Sequence, residues 1–342
     1  MLEAEDGPIL VWGAGAIGGT VGAFLRRDGL DVTFVDVVPE HVDAIRDPAR
    51  GLRITGPVAS LAVSAPAMRP EEVRGLWDRV LLCVKAHHTE EACRALAPHL
   101  APGGVVVSLQ NGLCEAVIAG IVGRERTMGA FVNFGADYIE PGHVLLGNRA
   151  AVVLGELDGR ETPRLRALLE TLRRFEPEAI LTDDIHAYLW GKLAYGAMLF
   201  AQALGQSSIA DAFARPELEL AFRRLGEEAV AVAIAEGVAP RGFNGFDPEA
   251  FRPGAPPEAA RASIAAMERF NRGSAKTHSG IWRDLAVRRR RTEVDMQVLP
   301  VIAAGEAHGL PCPGLRKLAA LIHEIEDGRR PLDDANLLEL VP

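Results

Sequence analysis

Cysteine is scarce in this chain of 342 residues, and long apolar runs are lacking. Its four cysteines, Cys83, Cys93, Cys114 and Cys312, show no Cys-x-x-Cys spacing. This excludes a disulfide framework and predicts buried thiols in a reducing compartment. No apolar run reaches membrane-spanning length, and the acidic start, Met1 to Asp6, lacks the parts of a signal peptide. We therefore expect a cytoplasmic protein with no membrane partner.

An excess of basic residues is also lacking. The chain has 37 Lys and Arg against 46 Asp and Glu, a net charge of -9, which argues against nucleic acid as a partner. His87 and His88 point in different directions in any regular element, and no Glu or Cys stands at ligand spacing from them, so we predict no metal site. The composition, 48% hydrophobic and 24% charged, is typical of a globular enzyme, and the length suggests two domains.

What the chain does contain is a glycine motif near its start. A short apolar run enters Gly13-x-Gly15-x-x-Gly18, and a helix-like segment follows. In a dinucleotide site Gly13 allows the tight turn, Gly15 lets the backbone approach a pyrophosphate, and Gly18 lets the helix pack on the strand. Ala16 and Ile17 would lie beside the phosphates, where the helix N-terminus favours an anion. We call residues 13–18 the glycine loop.

Three further polar residues follow predicted strands. Asp36 ends the second strand, where a carboxylate accepts hydrogen bonds from ribose hydroxyls and repels a 2′-phosphate. The buried runs 79–84 and 104–109 are typical of central parallel strands and lead to Lys85 and Asn111. Because ligands bind beyond the carboxyl ends of such strands, we expect these residues and the glycine loop to gather at one edge.

The pattern of elements predicts an α/β fold with an N-terminal Rossmann-type dinucleotide-binding domain over 1–182 and an all-helical C-terminal domain over 183–342. After the first apolar run, the predicted strands are 31–36, 52–55, 58–63 (a hairpin with the preceding strand), 79–84, 104–109, 128–134, 144–146, 151–154 and 179–182. The predicted helices are 20–29, 41–46, 89–100, 162–175, 184–203, 216–236, 257–271, 284–308 and 315–327. The stretch 239–257, rich in Pro, Gly and Phe, resembles a surface insertion or mobile loop.

Two stretches of the helical domain contain candidate chemistry. Lys192 has apolar neighbours in sequence; a lone lysine on a helix is usually solvated, but partial burial would lower its pKa toward the range useful for proton transfer. The positive charge of the run Arg288 to Arg291 is suited to binding phosphate, although such runs more often form solvated helix faces. Glu293 and Asp295 cannot face the same way on a helix, so at most one of them reaches a site.

Five motifs follow one another along the chain: the glycine loop, Val84-Lys85-Ala86, Gln110-Asn111-Gly112, Trp190-x-Lys192-Leu193-Ala194 and Thr292-Glu293-Val294-Asp295. In this order they resemble the motifs of the ketopantoate reductase family (2-dehydropantoate 2-reductases), and the resemblance covers nearly the whole chain. The resemblance implies NAD(P)H-dependent reduction of a small-molecule 2-oxo acid to a 2-hydroxy acid, namely ketopantoate to pantoate. The nicotinamide supplies the hydride in such a reaction, and a cationic lysine stabilises and protonates the carbonyl oxygen.

The resemblance also implies roles for individual residues. Lys192 would be the general acid, and Glu293 would help to hold the substrate and orient that lysine. Lys85 and Asn111 would line the cofactor–substrate cleft. The substrate-binding positions that it implies are Asn111, Lys192, Ser279, Asp284 and Glu293.

The chain departs from the family's pattern at several positions. The helix after the lysine usually presents two asparagines to the substrate, and Gly196 and Phe200 stand in their places. A common Ser-Ser pair is Ser279-Gly280, and the segment 284–293 is one residue longer. Fewer polar contacts and Phe200 suggest a more apolar substrate tail. Members commonly use NADPH, but Asp36 leads us to expect NAD(H) preference.

Two alternatives stay open. An opine- or β-hydroxyacid-type dehydrogenase also joins a dinucleotide domain to a helical one. A non-catalytic dinucleotide sensor needs only the first domain's residues, so Lys192 and Glu293 argue against it. Because helical second domains of this sort often pair, a homodimer through the helical domain is a further hypothesis.

Overall fold

The computed structural model describes residues 7–341 and divides the chain into two compact units, Met1–Ile185 and His186–Pro342. The boundary lies three residues beyond the predicted end of the first domain at 182. The acidic start considered above, residues 1–6, lies outside the described residues.

The first unit contains twelve strands and five helices within the described residues. The strands are β1 (Ile9–Trp12), β2 (Val32–Val35), β3 (Leu52–Thr55), β4 (Leu61–Val63), β5 (Ala67–Met68), β6 (Trp77–Leu82), β7 (Leu100–Ser108), β8 (Thr127–Val132), β9 (Gly135–Glu140), β10 (His143–Asn148), β11 (Val152–Glu156) and β12 (Ile180–Leu181). The helices are α1 (Ala16–Arg27), α2 (Pro39–Arg46), α3 (Thr89–Leu96), α4 (Glu115–Val122) and α5 (Pro163–Arg173).

The main sheet has eight strands in the order β12-β11-β8-β7-β6-β1-β2-β5. Its neighbours are parallel except for the antiparallel pair β8–β11. Residues 79–82 of β6 and 104–108 of β7 are buried, as the apolar runs 79–84 and 104–109 predict for central strands covered on both faces, and so is every residue of β1 and β2. The predicted α/β class is confirmed.

A second sheet has four strands in the order β4-β3-β10-β9. The predicted hairpin is confirmed as the antiparallel pair β3–β4. The parallel pairing of β3 with β10 and the whole of β9 were not predicted. β9 contains Gly135 and Asp137, which are poor strand formers, and tertiary pairing overrides that preference.

Some predicted boundaries in this unit were wrong. The helix predicted over 89–100 ends at Leu96, because Pro98 lies in a tight 3-10 turn and β7 already begins at Leu100. The helix predicted from residue 20 begins at Ala16, directly after Gly15. Helix α4 was not predicted at all; no side chain caps its start.

The second unit is mostly helical, as predicted. Its helices are α6 (Ile185–Gln202), α7 (Ile209–Phe213), α8 (Glu219–Ala235), α9 (Pro257–Arg272), α10 (Gly280–Trp282), α11 (Val294–Gln297), α12 (Leu299–Ala307), α13 (Pro313–Glu326) and α14 (Ala335–Leu338). A π-helical turn, Arg283–Val287, follows α10 directly. Within residues 7–341, no helix is both long and apolar enough to cross a bilayer.

The single helix predicted over 284–308 was wrong. The chain leaves the helix after the π-helical turn, and Arg289 takes a left-handed conformation with φ of +49°. The Arg290 N–H donates to the Asp284 carbonyl at 2.9 Å, which closes the turn. Regular helix resumes only at α11 and, with Pro300 in its first turn, at α12.

The expectation of a surface insertion or mobile loop over 239–257 was also wrong. Phe243, Phe246 and Phe251 are buried. The ring of Phe243 lies 5.5 Å from that of Tyr195 on α6, edge to face. Because a buried aromatic ring removes much apolar surface from water, these side chains make the segment part of the second unit's core.

Candidate functional site

The sheet of the first unit brings four loops to one edge. β7, β6, β1 and β2 are adjacent and parallel, so their carboxyl ends coincide. The glycine loop follows β1, and Asp36 follows β2. Lys85 and Asn111, both half-buried, come after β6 and β7. The predicted cofactor-binding residues of this unit therefore share the edge at which parallel sheets bind ligands.

The three glycines of the loop meet different surroundings. Gly13 has φ of +98°, and a Cβ there would lie 2.8 Å from the Val84 nitrogen. A Cβ at Gly18 would collide with the Gly13 carbonyl oxygen and lie 2.9 Å from Cγ1 of Val11. A Cβ at Gly15 would meet no protein atom of the described residues within 4 Å. Gly13 and Gly18 thus serve the protein's own packing, whereas Gly15 leaves open space beside the backbone.

Both polar groups of Ala14 are held by side chains. The Ala14 N–H donates to Oδ2 of Asp36 at 2.9 Å, and the other oxygen of Asp36 accepts from the Val38 N–H at 3.0 Å. The Ala14 carbonyl accepts from Nε2 of the fully buried His41 at 2.8 Å. Nδ1 of His41 accepts from the Gly142 N–H at 2.9 Å, which assigns the proton to Nε2. His41 was not among the predicted site residues, because a lone histidine carries no local signal.

Gln110 connects the two loops that carry Lys85 and Asn111. Its buried side-chain amide donates to the Val84 carbonyl at 2.9 Å and to the Thr89 hydroxyl at 2.8 Å. These bonds fix the loop after β6 to the end of β7. Within residues 7–341, no group of three or more His, Cys, Asp or Glu side chains is placed to hold a metal ion.

In the second unit, Lys192 lies on α6 beside apolar neighbours in sequence. It is half-buried, and Leu189, Trp190 and Leu193 are buried. A Cβ at the preceding residue, Gly191, would collide with the main-chain carbonyl oxygen of Arg241, which belongs to the 239–257 segment. That segment therefore packs against the helical turn that carries Lys192.

The partly exposed face of α6 that carries Lys192 continues through Gly196 and Leu199. Phe200, one turn after Gly196, is fully buried. Its ring therefore packs inside the unit, and the more apolar substrate tail that it suggested stays a prediction. Leu199 is the apolar side chain that this face presents.

Glu293 is buried immediately before α11. Its neighbour Thr292 donates from both its N–H and its hydroxyl to Oε1 of Glu326, at 2.7 Å each. Asp295, in contrast, is exposed and lies 2.7 Å from the His323 ring. Of the two acids, only Glu293 is enclosed. Glu326 is a residue that the sequence analysis missed, since it lies on α13, far along the chain.

Three arginines of the run 288–291 pair with carboxylates, and Arg290 and Arg291 stay exposed to solvent. Oδ1 of the buried Asp284 accepts from Arg288 at 2.9 Å and from Nε of Arg290 at 3.0 Å. Arg291 donates to Glu326 at 3.1 Å. These pairs fix the loop that leads to Glu293.

Ser279, predicted to bind substrate, is buried and has a structural task. Its hydroxyl accepts from the Trp282 N–H at 3.1 Å and so caps α10. Because α10 leads directly into the π-helical turn, Ser279 helps to place Asp284.

Comparison with known families shows where the chain belongs. The family profile "Ketopantoate reductase PanE/ApbA" matches residues 9–159, and the profile of the same family's C-terminal part matches residues 184–326. The chain belongs to the ketopantoate reductase family. The family's members are NAD(P)-dependent oxidoreductases that act on CH–OH groups, and this chain is an enzyme of that class.

Individual relatives match along nearly their whole length. The 2-dehydropantoate 2-reductase of Archaeoglobus fulgidus is 29% identical over 322 residues, 94% of this chain and 98% of that protein. The structure of a PanE/ApbA family ketopantoate reductase from Ralstonia eutropha is 28% identical, with a TM-score of 0.78, over 94% of this chain and 99% of the other. D-mandelate dehydrogenase with NADH and anilino(oxo)acetate, 21% identical with a TM-score of 0.81 over 94% and 99%, shares the fold.

Proposed function

We propose that the enzyme reduces a 2-oxo acid, ketopantoate, to the 2-hydroxy acid pantoate, with Lys192 as the general acid. The observation that carries the proposal is the half-buried position of Lys192 on α6, next to buried apolar residues in the sequence, in a member of the reductase family. An ammonium group in such a setting is well suited to proton transfer and to stabilising charge on a carbonyl oxygen. The relative from Archaeoglobus fulgidus, a 2-dehydropantoate 2-reductase, supports the same substrate.

The residues of the first unit fit a dinucleotide. The open space at Gly15 is the room that a pyrophosphate needs, and Ala16 and Ile17 begin α1, whose N-terminus favours an anion. Asp36 would hold the adenosine ribose, and Lys85 and Asn111 would lie toward the reacting end. When bound, the nicotinamide supplies the hydride that adds to the carbonyl carbon.

The remaining step belongs to the second unit. As the carbonyl carbon gains the hydride, its oxygen becomes negative, and the Lys192 ammonium donates one proton to give the hydroxyl. Glu293, enclosed and fixed through Thr292, would orient that lysine and hold the substrate. Asp284 and Ser279 act as positioning residues, because their polar atoms hold the loop before Glu293.

We further propose a preference for NADH over NADPH. Asp36 would repel a 2′-phosphate. Arg69 follows β5, the strand next to β2, but its guanidinium lies 3.3 Å from Glu71 and 3.8 Å from Glu72. These carboxylates offset the attraction that Arg69 would offer to the phosphate.

Steady-state oxidation of NADH and NADPH with ketopantoate and with apolar 2-oxo acids tests the proposal. Lys192→Ala should lower kcat by about 10²-fold or more and leave the Kd of NADH unchanged. Lys317→Ala, at an exposed lysine of the same unit, is the matched control. Retained activity in Lys192→Ala, or an equal loss of cofactor affinity, would contradict the assigned role.

The same assays separate the alternatives. Formation of secondary amines from a 2-oxo acid and an amine would indicate an opine-type dehydrogenase. Turnover restricted to apolar 2-oxo acids would indicate a different substrate. Binding of NADH without its oxidation by any 2-oxo acid would indicate a sensor. The homodimer and the cytoplasmic location stay predictions, which light scattering and cell fractionation would test.

A further inference from the structure

An open space lies one helical turn beyond Lys192. Gly196 is on the same partly exposed face of α6. Apart from its own helix, a Cβ at Gly196 would meet one atom of the described residues within 4 Å, Oε1 of Gln297, at 3.6 Å. The side-chain amide of Gln297 therefore borders the space that the glycine leaves.

Gln297 is held by its backbone and has an amide with unused hydrogen-bonding capacity. Its N–H donates to the Glu293 carbonyl at 3.0 Å, which places it one turn after Glu293 at the end of α11. The side chain is partly exposed, and among residues 7–341 its amide has no hydrogen-bond partner. The amide of Gln110, by comparison, already binds two protein groups.

We propose that Gln297 determines specificity for 2-oxo acids that carry a hydroxyl group, a proposal that rests on the proposed function. Lys192 and Glu293 are each one turn, about 5.4 Å of helix rise, from the space between Gly196 and Gln297. A substrate whose carbonyl group is held at Lys192 can thus extend its carbon chain into that space. Oε1 of Gln297 is the atom that borders this space, and it can accept a hydrogen bond from a substrate O–H group.

Gly196 contributes to the proposed specificity because it leaves this space open. A larger side chain at 196 would fill the space and pack on the Gln297 amide. Leu199, further along the same face, gives the substrate's carbon skeleton an apolar neighbour. Sites that hydrogen-bond a substrate hydroxyl reject analogues that lack it far more strongly than apolar pockets discriminate by size.

Two substrates that differ by one hydroxyl test the proposal: ketopantoate and 3,3-dimethyl-2-oxobutanoate. The wild type should prefer ketopantoate in kcat/KM. Gln297→Met should reduce that preference at least tenfold, through a higher KM for ketopantoate, with the values for the deoxy substrate and the Kd of NADH unchanged. Gln206→Met, at an exposed glutamine of the same unit, should leave the preference intact.

A second variant guards against an effect on folding. Gly196→Leu should raise KM for both substrates and preserve the melting temperature and NADH binding. If Gln297→Met retains the wild-type preference while both substrates are reduced in a Lys192-dependent way, the specificity role is wrong and the proposed function stands. If the wild type reduces neither substrate, the proposed function itself fails.

Discussion

The carbonyl oxygen of Ala14 lies 2.8 Å from Nε2 of His41. Because the peptide bond is planar and trans, this contact directs the following N–H, that of Gly15, away from the histidine. The Asp36 carboxylate holds the Ala14 N–H at the same time. The backbone between the first two glycines is thus arranged before any ligand binds, and binding need not be accompanied by ordering of this loop.

We expect His41→Ala to weaken NADH binding. The variant leaves the Ala14 carbonyl and the Gly142 N–H without their partner, at a cost of about 1–3 kcal/mol for a buried polar group. His41→Gln is the matched control, since its amide can donate to the one group and accept from the other. Fluorescence titration with NADH and thermal melts check both; an unchanged Kd in His41→Ala would remove its positioning role.

Two glycines of the glycine loop allow the effect of protein packing to be separated from the effect of space for the ligand. Gly15→Ala should fold with an unchanged melting temperature but lose NADH affinity, because its Cβ enters only the open space. Gly18→Ala should lower the melting temperature, because its Cβ collides with the Gly13 carbonyl. Calorimetry and NADH titration distinguish the two, and equal melting temperatures would contradict this assignment.

Asp36 has two functions, so its variants must separate them. Asp36→Asn removes the charge but keeps an oxygen that can accept from the Ala14 N–H. We expect the NADPH-to-NADH ratio of kcat/KM to rise about tenfold, through loss of repulsion toward the 2′-phosphate. Asp36→Ala should weaken both cofactors by loosening the loop. A strong NADPH preference in the wild type that Asp36→Asn leaves unaltered would overturn the proposed selectivity.

Glu326 should matter for turnover although it lies outside the predicted motifs. Glu326→Ala frees the Thr292 N–H and hydroxyl and should destabilise the second unit by about 1–3 kcal/mol. Because Thr292 precedes Glu293, we also expect kcat to fall. Asp295→Asn, at the exposed acid nearby, should change neither quantity. Urea unfolding and steady-state kinetics measure the two effects.

The buried thiols should resist alkylation near neutral pH. Burial raises the pKa of Cys93 to about 12 and is also the main cause that raises the pKa of Cys312 to about 11. At pH 8 both groups are protonated in the folded protein, and the thiolate is the reactive form. Mass spectrometry after iodoacetamide should find them modified only after unfolding. Rapid labelling of either cysteine in the native enzyme would disprove this.

Hydrophobic pattern and strand ends were sufficient to predict the parallel sheet, the helical second part and the edge where Asp36 and Asn111 lie. They failed where side chains from distant parts of the sequence form hydrogen bonds that redirect the backbone. The continuous helix predicted over 284–308 is broken because Thr292 binds Glu326, 34 positions away, and because Asp284 binds Arg290. His41 and Gln297 carry no local signal, since their neighbours come from other parts of the chain.

The π-helical turn Arg283–Val287 bears on the length of the chain before Glu293. The Arg288 N–H donates to the Arg283 carbonyl, five residues back, at 2.9 Å, so this turn contains one residue more than an ordinary helical turn. The resemblance to the family predicts one additional residue between Asp284 and Glu293. A widened turn of this kind can take up an additional residue and leave the acid that follows it in place.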